Sequence, residues 1–315
     1  MTTRIDVHHH YVPDFYREAV QDSGGDPSGW EVPQWSIKAD KLFTEAHGIK
    51  TSMLSWTAPG ACILKGEDGA RLARKANEYA AKIRDDDPQA YGFFAAMPSL
   101  LDKELTLSEL KYAFDALKAD GITLFTRYGP GDHYLGHHEL QYIWEELDRR
   151  EAVVCIHPTH PVNTNLINPL LPQPIVEYPL ETTKTAIDLL TSKTVRKFPK
   201  VKIILSHAGG TLPYLVERPA TVLPYLDSSH NTEEFIEDAR NFYYDTALSG
   251  SKNVLTVLQA FAKPGHILYG SDYPYARVGA IDYHTDGLDR FNYREEALLQ
   301  QINARSARAL FPRLA

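Results

Sequence analysis

The stretch RIDVHHH at residues 4–10 determines how the rest of the chain is interpreted. Its β-branched residues predict a strand, and that strand ends in three histidines. Because side chains alternate between the two faces of a strand, His8 and His10 are expected to face one side, together with Asp6. His9 should face the other side. Two imidazoles on one face form half of a metal site; the alternatives are a chance cluster or the remnant of an affinity tag.

Seven further stretches of similar composition follow, separated by segments of helical period. This alternation is typical of βαβ units around a parallel sheet. The predicted strands cover residues 4–10, 49–56, 91–97, 121–126, 152–157, 202–207, 241–246 and 266–272. Amphipathic helices are predicted over residues 68–86, 138–150 and 180–196. Eight strands are the number that closes a barrel, so the predicted fold is α/β, a (β/α)8 TIM barrel.

Two stretches interrupt this rhythm. Residues 22–36 are rich in glycine, and residues 158–179 contain six prolines with little helical period. Both are predicted to be long loops, which usually shape the active site of a barrel enzyme. The length of 315 residues suits one large barrel or two ordinary domains. Because no shift in composition marks a boundary, a single domain over residues 1–315 is expected.

Composition excludes several classes of protein. The net charge is −8 and the basic residues do not cluster, so nucleic acid is not an expected partner. An apolar run of about 18 residues, which a membrane-spanning helix needs, is missing. The two cysteines, Cys62 and Cys155, are too few for a disulfide framework, and the first residues are polar where a signal peptide is apolar. A cytoplasmic location is therefore expected.

Histidines and acids recur where the later predicted strands end. His157 closes AVVCIH, His207 closes VKIILSH, Asp245 lies in FYYDT and Asp272 follows HILYGS. A barrel places its catalytic groups at these carboxyl ends. Any one such residue is often a helix cap or bonds a backbone amide. Their joint occurrence with the histidines of the first strand favours a shared site.

Four stretches of sequence resemble the amidohydrolase-related metal enzymes, which include aminocarboxymuconate semialdehyde decarboxylase and the hydroxybenzoate decarboxylases: DVHHH at 6–10, CIHPTHP at 155–161, ILSHAGGTLPYLVER at 204–218 and LYGSDYPY at 268–275. The resemblance extends over essentially the whole chain. Two further stretches, GITLFTRYGPGDHYLG at 121–136 and EYPLETTKTAIDLL at 177–190, resemble the 6-methylsalicylate decarboxylase group of that family.

The resemblance implies one divalent metal held by His8, His10, His157 and Asp272, with water at an open position. It places His207 beside that water. Imidazole and carboxylate ligands suit zinc or manganese, and ligand softness favours zinc. Binuclear members of the superfamily carry a bridging carboxylated lysine at the end of the fourth strand. GITLFTR offers no lysine, which favours a single metal.

Five residues are candidates for binding the substrate. Arg127, at the end of the fourth predicted strand, is a candidate for steering an anion, with a capping or surface role as the alternative. Arg218 lies where the semialdehyde decarboxylase pattern has an arginine that reaches the substrate across a dimer interface; a homodimer is therefore expected, and a surface salt bridge is the alternative. Trp56 and Tyr273 are candidates for stacking on an aromatic substrate, as is Tyr275, or else they pack in the barrel.

One departure from the pattern concerns the substrate. The second carboxylate-binding arginine of the semialdehyde decarboxylases has no counterpart in WSIKADKLFTEAHG at residues 35–48. This difference favours a carboxylic acid other than the muconate. The resemblance as a whole therefore implies a metal-dependent, nonoxidative decarboxylase of an ortho-hydroxybenzoate, with 6-methylsalicylate giving 3-methylphenol and CO2.

In the expected reaction Asp272 delivers a proton to the ring carbon that bears the carboxylate, and His207 hydrogen-bonds the carboxylate or water. Two alternatives remain at this point. The same ligands could activate water in a lactone hydrolase, and the fold does not separate the two activities. A non-catalytic metal-binding protein or a partner-binding barrel is the third hypothesis. The product distinguishes them: CO2 with the ring retained, a ring-opened acid, or none.

Overall fold

The computed structural model describes residues 3–295 and 297–314, so residues 1, 2, 296 and 315 of the predicted domain lie outside the described residues. Within the described part, eight parallel strands form one sheet in the order of the sequence. We number them β1 to β8: Arg4–His10, Ile49–Ser55, Tyr91–Ala95, Gly121–Phe125, Val153–His157, Lys202–Leu205, Tyr243–Asp245 and Ile267–Leu268. All eight predicted strands are present, and the last is shortened most.

Hydrogen bonds between β1 and the chain around β8 close the sheet into a barrel. The N–H of Val7 donates to the carbonyl of Tyr269 at 3.0 Å, and the N–H of His10 donates to the carbonyl of Tyr273 at 2.7 Å. The N–H of Asp272 donates back to the carbonyl of His8 at 2.8 Å. The predicted (β/α)8 barrel is thus confirmed.

Helices on the outer face connect successive strands. The longer helices are Asp14–Asp22, Ile37–Ala46, Gly66–Asp86, Lys103–Asp115, Gln141–Arg149, Gln173–Thr191, Glu217–Leu226, Thr232–Arg240, Lys252–Phe261 and Val278–Arg290. Short helical turns are Gly60–Ile63, His138–Leu140, Thr194–Lys197, His207–Gly209, Leu212–Leu215 and Pro312–Leu314, and a last helical run comprises Leu298–Gln300, Gln301–Arg305 and Ser306–Leu310. In the part of the chain described, none of these helices is long and apolar enough to cross a membrane.

The apolar core has two layers. One lies between the barrel and its helices, where Gly66–Asp86 buries small residues such as Ala73, Ala76 and Ala80. The other fills the lower barrel interior and includes Cys155, together with Phe311 from the last part of the chain. Because apolar side chains occupy the lower interior, the polar strand ends collect at the opposite rim.

The two predicted loops have different outcomes. Residues 23–36 are irregular, as expected. The prediction for 158–179 is wrong in its second half, because the helix Gln173–Thr191 begins there. The prolines explain the error, because they were taken as a sign of a loop. Pro174 lies in the first turn of this helix, where a missing backbone N–H breaks no hydrogen bond. The loop is therefore shorter, and the helix begins at the barrel rim.

Candidate active site

Four side chains predicted to be metal ligands come together at the carboxyl rim of the barrel. One ligand-type atom from each of His8, His10, His157 and Asp272 lies within 4.8 Å of the others. The distance to Asp272 Oδ1 is 3.1 Å from His10 Nε2 and 3.4 Å from His8 Nε2. The three histidines are buried, and the Asp272 side chain is 14% exposed. We call these four residues the rim cluster.

Strand β1 contributes His8 and His10, two residues apart on one face, to the rim cluster, and its side-chain alternation is interrupted just before them. Its pairing with β2 changes register between Asp6 and His9. Val7 packs in the barrel interior, yet His8 and His10 both reach the rim. Strict alternation predicts Asp6 on their face; instead its Oδ2 lies 3.0 Å from Nδ1 of His9. The expectation for Asp6 is therefore corrected: the shift in register moves it to the side of His9.

Each imidazole of the rim cluster is held by its Nδ1. The Nδ1 hydrogens are donated to protein oxygens: His8 to Asp245 at 2.8 Å, His10 to the Ser55 carbonyl at 3.3 Å and His157 to the Pro158 carbonyl at 2.7 Å. Because Nδ1 is engaged in each ring, Nε2 is the nitrogen that can act as a ligand, which is the usual arrangement of metal-binding histidines. Indeed Nε2 of His8 is buried and finds no hydrogen-bond partner among the described residues.

The charges of the rim cluster suit a divalent cation. Burial opposes protonation of His8, but the carboxylates of Asp245 and Asp272 outweigh it and raise the pKa of His8 to about 10. Burial lowers the pKa of His157 well below its ordinary value. Although burial alone would raise it, the neighbouring imidazoles of His10, His207 and His8 hold the pKa of Asp272 well below its usual range. A cation among these atoms would replace the proton on His8, so the donor set fits a metal.

Asp245 joins the rim cluster to His207. One of its oxygens accepts the Nδ1 hydrogen of His8, and the other accepts the backbone N–H of His207 at 3.0 Å. The sequence predicts that Asp245 lies at a strand end but gives it no role in the site. His207 Nε2 lies 3.6 Å from Asp272 Oδ2, so its ring faces this carboxylate from outside the group of four.

The backbone is strained where His207 and Asp272 leave the barrel. Their φ angles are +54° and +65°, in the left-handed region that non-glycine residues rarely adopt. Gly210 follows in the same turn, where an added Cβ would lie 2.0 Å from the carbonyl oxygen of Pro179. Such conformations persist where the surrounding structure holds them, and they concentrate at functional sites.

A cavity of about 440 Å³ opens from the rim cluster. His157, His207 and Asp272 line one part of it. Apolar walls come from the glycine-rich segment 22–36, from the helix Gln173–Thr191 and from the segments that follow β7 and β8: Trp30, Ile175, Pro179, Leu248, Val254 and Ala276. A mostly apolar cavity with a few convergent polar groups is typical of a small-molecule site, and this volume accommodates a substituted benzoic acid.

Three residues that were predicted to contact the substrate lie outside the cavity. The guanidinium of Arg127 donates to the carbonyls of His160 at 2.9 Å, Gly129 at 2.7 Å and Gly131 at 3.1 Å, so its hydrogens already hold two loops together. Trp56 is buried and stacks on Tyr16, with ring centroids 4.1 Å apart. Tyr273 stacks on Phe43 at 3.9 Å. Of the residues described, none of these three lines the cavity.

The two remaining candidates differ. Tyr275 lines the cavity, two residues beyond Tyr273, and its ring packs edge-on against His10 at 5.5 Å. Arg218 is exposed on the outer helix Glu217–Leu226, and it does not line the cavity of its own chain. Its predicted contact with substrate therefore requires a second copy of the chain.

Several cavity residues were not predicted from the sequence. Asp26 and Ser28 come from the glycine-rich segment, Tyr178 from a helix taken for a loop, and Arg277 and His284 from the region after β8. Within the lining as described, Arg277 is the single arginine or lysine, and it is exposed at the cavity mouth. Tyr178 lies within the stretch 177–190 that carries part of the family resemblance. For the others, the signal was that long loops surround barrel sites.

Asp26 is the acid on the wall formed by the glycine-rich segment. Its Oδ1 accepts the backbone N–H of Ser28 at 2.8 Å, and burial raises the pKa of its carboxyl group. Three tyrosine hydroxyls are nearby. Burial, with a contribution from the charge of Asp26, raises the pKa of Tyr16, Tyr178 and Tyr275. This part of the cavity is therefore polar.

A second group of ligand-type side chains lies on the loop after β4. Ligand atoms of His133, His137 and Glu139 are within 4.8 Å of one another, and Glu139 is exposed. The Nδ1 of His137 accepts the backbone N–H of Glu139 at 3.3 Å. We call this group the loop cluster. It does not line the cavity that opens from the rim cluster.

Comparison with known proteins agrees with this architecture. Residues 5–313 match the model of a protein family described as amidohydrolase. A 6-methylsalicylic acid decarboxylase of Penicillium expansum is 51% identical over 314 residues, which cover 99% of this chain and 97% of that protein. The solved structure of an amidohydrolase II has a TM-score of 0.89 at 28% identity and covers 98% of this chain and 100% of its own.

A dihydroxybenzoic acid decarboxylase of Polaromonas sp. JS666, solved with manganese and the inhibitor 2-nitroresorcinol, has a TM-score of 0.84. At 23% identity the alignment covers 99% of this chain and 97% of that one. This second structure shares the fold over the same length.

Proposed function

Because this chain belongs to the amidohydrolase family, we propose that it is a metal-dependent carboxy-lyase that decarboxylates an ortho-hydroxybenzoate without an oxidant, with 6-methylsalicylate giving 3-methylphenol and CO2. The observation that carries the proposal is a cavity of about 440 Å³ that joins His157, His207 and Asp272 to largely apolar walls. The 51% identity to the Penicillium expansum decarboxylase over 99% of the chain supports the reaction and the substrate class.

The proposed cofactor is one divalent cation held by the rim cluster, His8, His10, His157 and Asp272. When bound, the cation would hold the substrate carboxylate and the adjacent oxygen and stabilise negative charge there. Ligand softness favours zinc. Manganese, present in the Polaromonas structure, is the alternative. Metal analysis of the purified protein distinguishes the two.

Asp272 is proposed to move the proton. It delivers a proton to the ring carbon that bears the carboxylate, forming a C–H bond and a dearomatised ring. The bond from that carbon to the carboxylate then breaks, its electron pair restores the aromatic ring, and CO2 leaves. One proton from solvent is consumed in each turnover.

His207 is proposed to resupply that proton. The low pKa of Asp272 means that its carboxyl group holds a proton only briefly, so a neighbour must provide one. His207 Nε2 lies 3.6 Å from Asp272 Oδ2 and is the neighbour outside the rim cluster that faces this carboxylate. The apolar walls keep the ring in place and exclude water, and Arg277 at the mouth attracts the anionic substrate.

A homodimer is proposed for the assembly. Arg218 lies on the outer surface close in sequence to exposed apolar side chains, among them Tyr225 at 90% and Leu226 at 78%. Large exposed apolar groups are typical of interfaces. If the arginine acts in the partner's cavity, mixing an Arg218→Ala chain with an Asp272→Ala chain should restore activity. Absence of recovery after proven mixing would contradict a shared site.

A cytoplasmic location is proposed as well. Both cysteines, Cys62 and Cys155, are free thiols in the structure. Unpaired thiols of this kind fit a reducing compartment.

The test of the proposed activity is product analysis. The purified protein is analysed for metal and then incubated with 6-methylsalicylate and other ortho-hydroxybenzoates. We expect CO2 and the corresponding phenol in equal amounts, and loss of both after chelation. Hydrolysis of a lactone to a ring-opened acid, with no CO2 from any hydroxybenzoate, would replace the decarboxylase by the hydrolase.

A further inference from the structure

Thr57 is a polar residue of the cavity wall that has no role in the proposed proton transfer. It comes two residues after β2 and lines the cavity beside His157. Its surroundings are fixed: Trp56 stacks on Tyr16 with ring centroids 4.1 Å apart, and the Tyr16 hydroxyl accepts the backbone N–H of Gly60 at 3.1 Å. Because Thr57 is also β-branched, few rotamers are open to it. Its hydroxyl is thus held at one place in the wall.

The hydroxyl of Thr57 lies beside the ring of a predicted metal ligand. Its Oγ1 is 3.2 Å from Nε2 of His157 and 3.5 Å from Nδ1 of the same ring. These nearly equal distances place the oxygen between the two nitrogens, because an atom on the lone-pair axis of Nε2 would be much farther from Nδ1. Such a contact is a poor hydrogen bond. The lone pair of Nε2 therefore remains available to a cation, and the hydroxyl hydrogen can rotate toward an acceptor in the cavity.

The position of Thr57 around the barrel indicates which oxygen of the substrate it meets. Thr57 follows β2 and His207 follows β6, so four strands separate them and they lie on opposite sides of the eight-stranded barrel. In the proposed reaction the carbon that bears the carboxylate faces Asp272, and His207 Nε2 lies 3.6 Å from Oδ2 of that residue. The carboxylate is therefore on the side of His207. The adjacent ortho oxygen is then the acceptor nearest to Thr57.

We propose that Thr57 is a substrate-binding residue whose hydroxyl donates a hydrogen bond to the ortho oxygen of the hydroxybenzoate. The inference rests on the proposed decarboxylase function and deepens it, because it names a residue that distinguishes an ortho-hydroxybenzoate from a benzoate without that oxygen. An ortho oxygen held by a cation carries negative charge, and hydrogen bonds to charged acceptors are the stronger ones. The bond forms when the substrate binds and persists during proton transfer, so it acts on KM more than on kcat.

The experiment measures how two partial substrates bind to the metal-loaded protein. 3-Methylphenol keeps the ortho oxygen and lacks the carboxylate, whereas 2-methylbenzoate keeps the carboxylate and lacks that oxygen. Calorimetry gives both dissociation constants for the wild type, Thr57→Val and Thr57→Ser. Thr57→Val should weaken binding of 3-methylphenol about tenfold and change that of 2-methylbenzoate less than about twofold, the scale for the loss of one hydrogen bond. Thr57→Ser keeps a hydroxyl and should restore the affinity.

Turnover and metal affinity are two further readouts. With 6-methylsalicylate, Thr57→Val should raise KM about tenfold with little change in kcat. Competition with a chelator should give the wild-type affinity for the cation, because Thr57 does not belong to the rim cluster.

Thr123→Val is the matched control. Thr123 is buried on β4, its hydroxyl has no hydrogen-bond partner among the described residues, and within that part of the chain it does not line the cavity. Removing this hydroxyl should leave the two affinities, the kinetic constants and the metal affinity unchanged.

Three outcomes would overturn the assignment of Thr57. Equal weakening of both partial substrates, with or without a loss of metal affinity, would mean that Thr57 acts only through the ring of His157. A loss confined to 2-methylbenzoate would place the carboxylate beside the hydroxyl. Unchanged affinities for both, or no binding of 3-methylphenol by the wild type, would leave the hydroxyl without a contact to the ortho oxygen.

Failure of the proposed function is a separate result. The wild type would then release no CO2 from 6-methylsalicylate. Calorimetry needs no turnover, so the comparison of the two partial substrates tests Thr57 in that case as well.

Discussion

Adjacent histidines of β1 have opposite environments. His8 and His10 face the rim with their Nδ1 atoms bonded, and Nε2 of His8 has no hydrogen-bond partner within the described residues. His9, between them, has both nitrogens bonded: Nδ1 lies 3.0 Å from Asp6 Oδ2, and Nε2 lies 2.8 Å from Asp40 Oδ2. The Nε2 atoms of His8 and His10 face Asp272, itself a member of the rim cluster, at 3.4 and 3.1 Å, so they can share a cation with it. Both carboxylates that hold His9 lie outside the rim cluster, so His9 is part of the scaffold.

The charges around His9 support this distinction. Burial opposes its protonation, but the carboxylates of Asp40 and Asp6 outweigh it and raise the pKa of His9 to about 10. Asp40 is in turn bonded by Trp35 Nε1 at 2.9 Å and by the Tyr91 hydroxyl at 2.8 Å. The two carboxylates therefore favour the protonated form of His9, and Asp40 has further hydrogen-bond donors of its own.

Asp6 connects the two environments. Its Oδ1 accepts the backbone N–H of His8 at 3.1 Å and that of Ser271 at 3.0 Å, and its Oδ2 contacts His9. The network around His9 thus ties β1 to the segment that carries Asp272. The lesson is that the same residue type at neighbouring positions serves a site or a scaffold according to what its second nitrogen contacts.

The largest expected effect tests whether the Nε2 atoms of the histidines in the rim cluster bind a metal. His157→Ala should abolish stoichiometric metal binding and decarboxylation, because three ligands remain around a divalent cation that prefers at least four. Metal analysis after dialysis and CO2 release are the measurements. His137→Ala, in the loop cluster, is the matched control and should retain one metal per chain. Two metals per wild-type chain would contradict the mononuclear site.

The next effect separates metal binding from proton transfer at Asp272. Asp272→Asn keeps one oxygen ligand but cannot carry a proton, so turnover should fall by roughly 10²-fold or more while some metal remains bound. His207→Ala should lower turnover and leave the metal in place, because His207 lies outside the rim cluster. Full metal occupancy with near wild-type decarboxylation in the Asn variant would assign Asp272 a structural role.

A smaller effect tests how Asp245 holds the ring of His8. Asp245→Asn keeps the shape but removes the negative charge beside Nδ1, so metal affinity should fall by about 10- to 100-fold, the usual scale for such a partner. Competition with a chelator gives the affinity. The folded state should persist, as circular dichroism can check. Unchanged affinity would mean that the orientation of His8 does not depend on this carboxylate.

The smallest effect on activity should come from His9. His9→Gln removes a buried cation between Asp6 and Asp40, which should cost about 3–5 kcal/mol of unfolding free energy. Metal binding at low temperature should survive. Urea unfolding of the metal-loaded protein measures the loss, and the wild type is the reference. If the variant were as stable as the wild type, His9 would have no role in stabilising the fold.

The pH dependence of stability sharpens the same comparison. The folded pKa of His9, about 10, lies above its ordinary value of 6.5, so its contribution is complete below about pH 6.5 and is lost as pH rises through about 10. The wild type should therefore lose stability over this range more steeply than His9→Gln. Parallel slopes for the two proteins would contradict the raised pKa.

Local pattern by itself determined the eight strands and the barrel, and it placed the histidines of β1, His157, His207 and Asp272 at one rim. The resemblance to the amidohydrolase-related enzymes then selected the four residues of the rim cluster. Periodicity and strand-end position are properties of short segments, and parallel strands must end at a common rim. The separate position of His9 also followed from alternation. Even so, alternation misplaced Asp6, because the shift in register between Asp6 and His9 depends on how β1 pairs with β2.

Only the tertiary structure decided what lines the cavity. Asp26, Tyr178 and Tyr275 are separated by about a hundred residues or more along the chain, and no local spacing relates them. Arg127 shows the converse: a strand-end arginine suited to an anion instead donates to three backbone carbonyls that folding brings to it. A side chain's role depends on which partners satisfy its polar atoms, and those partners come from distant parts of the chain.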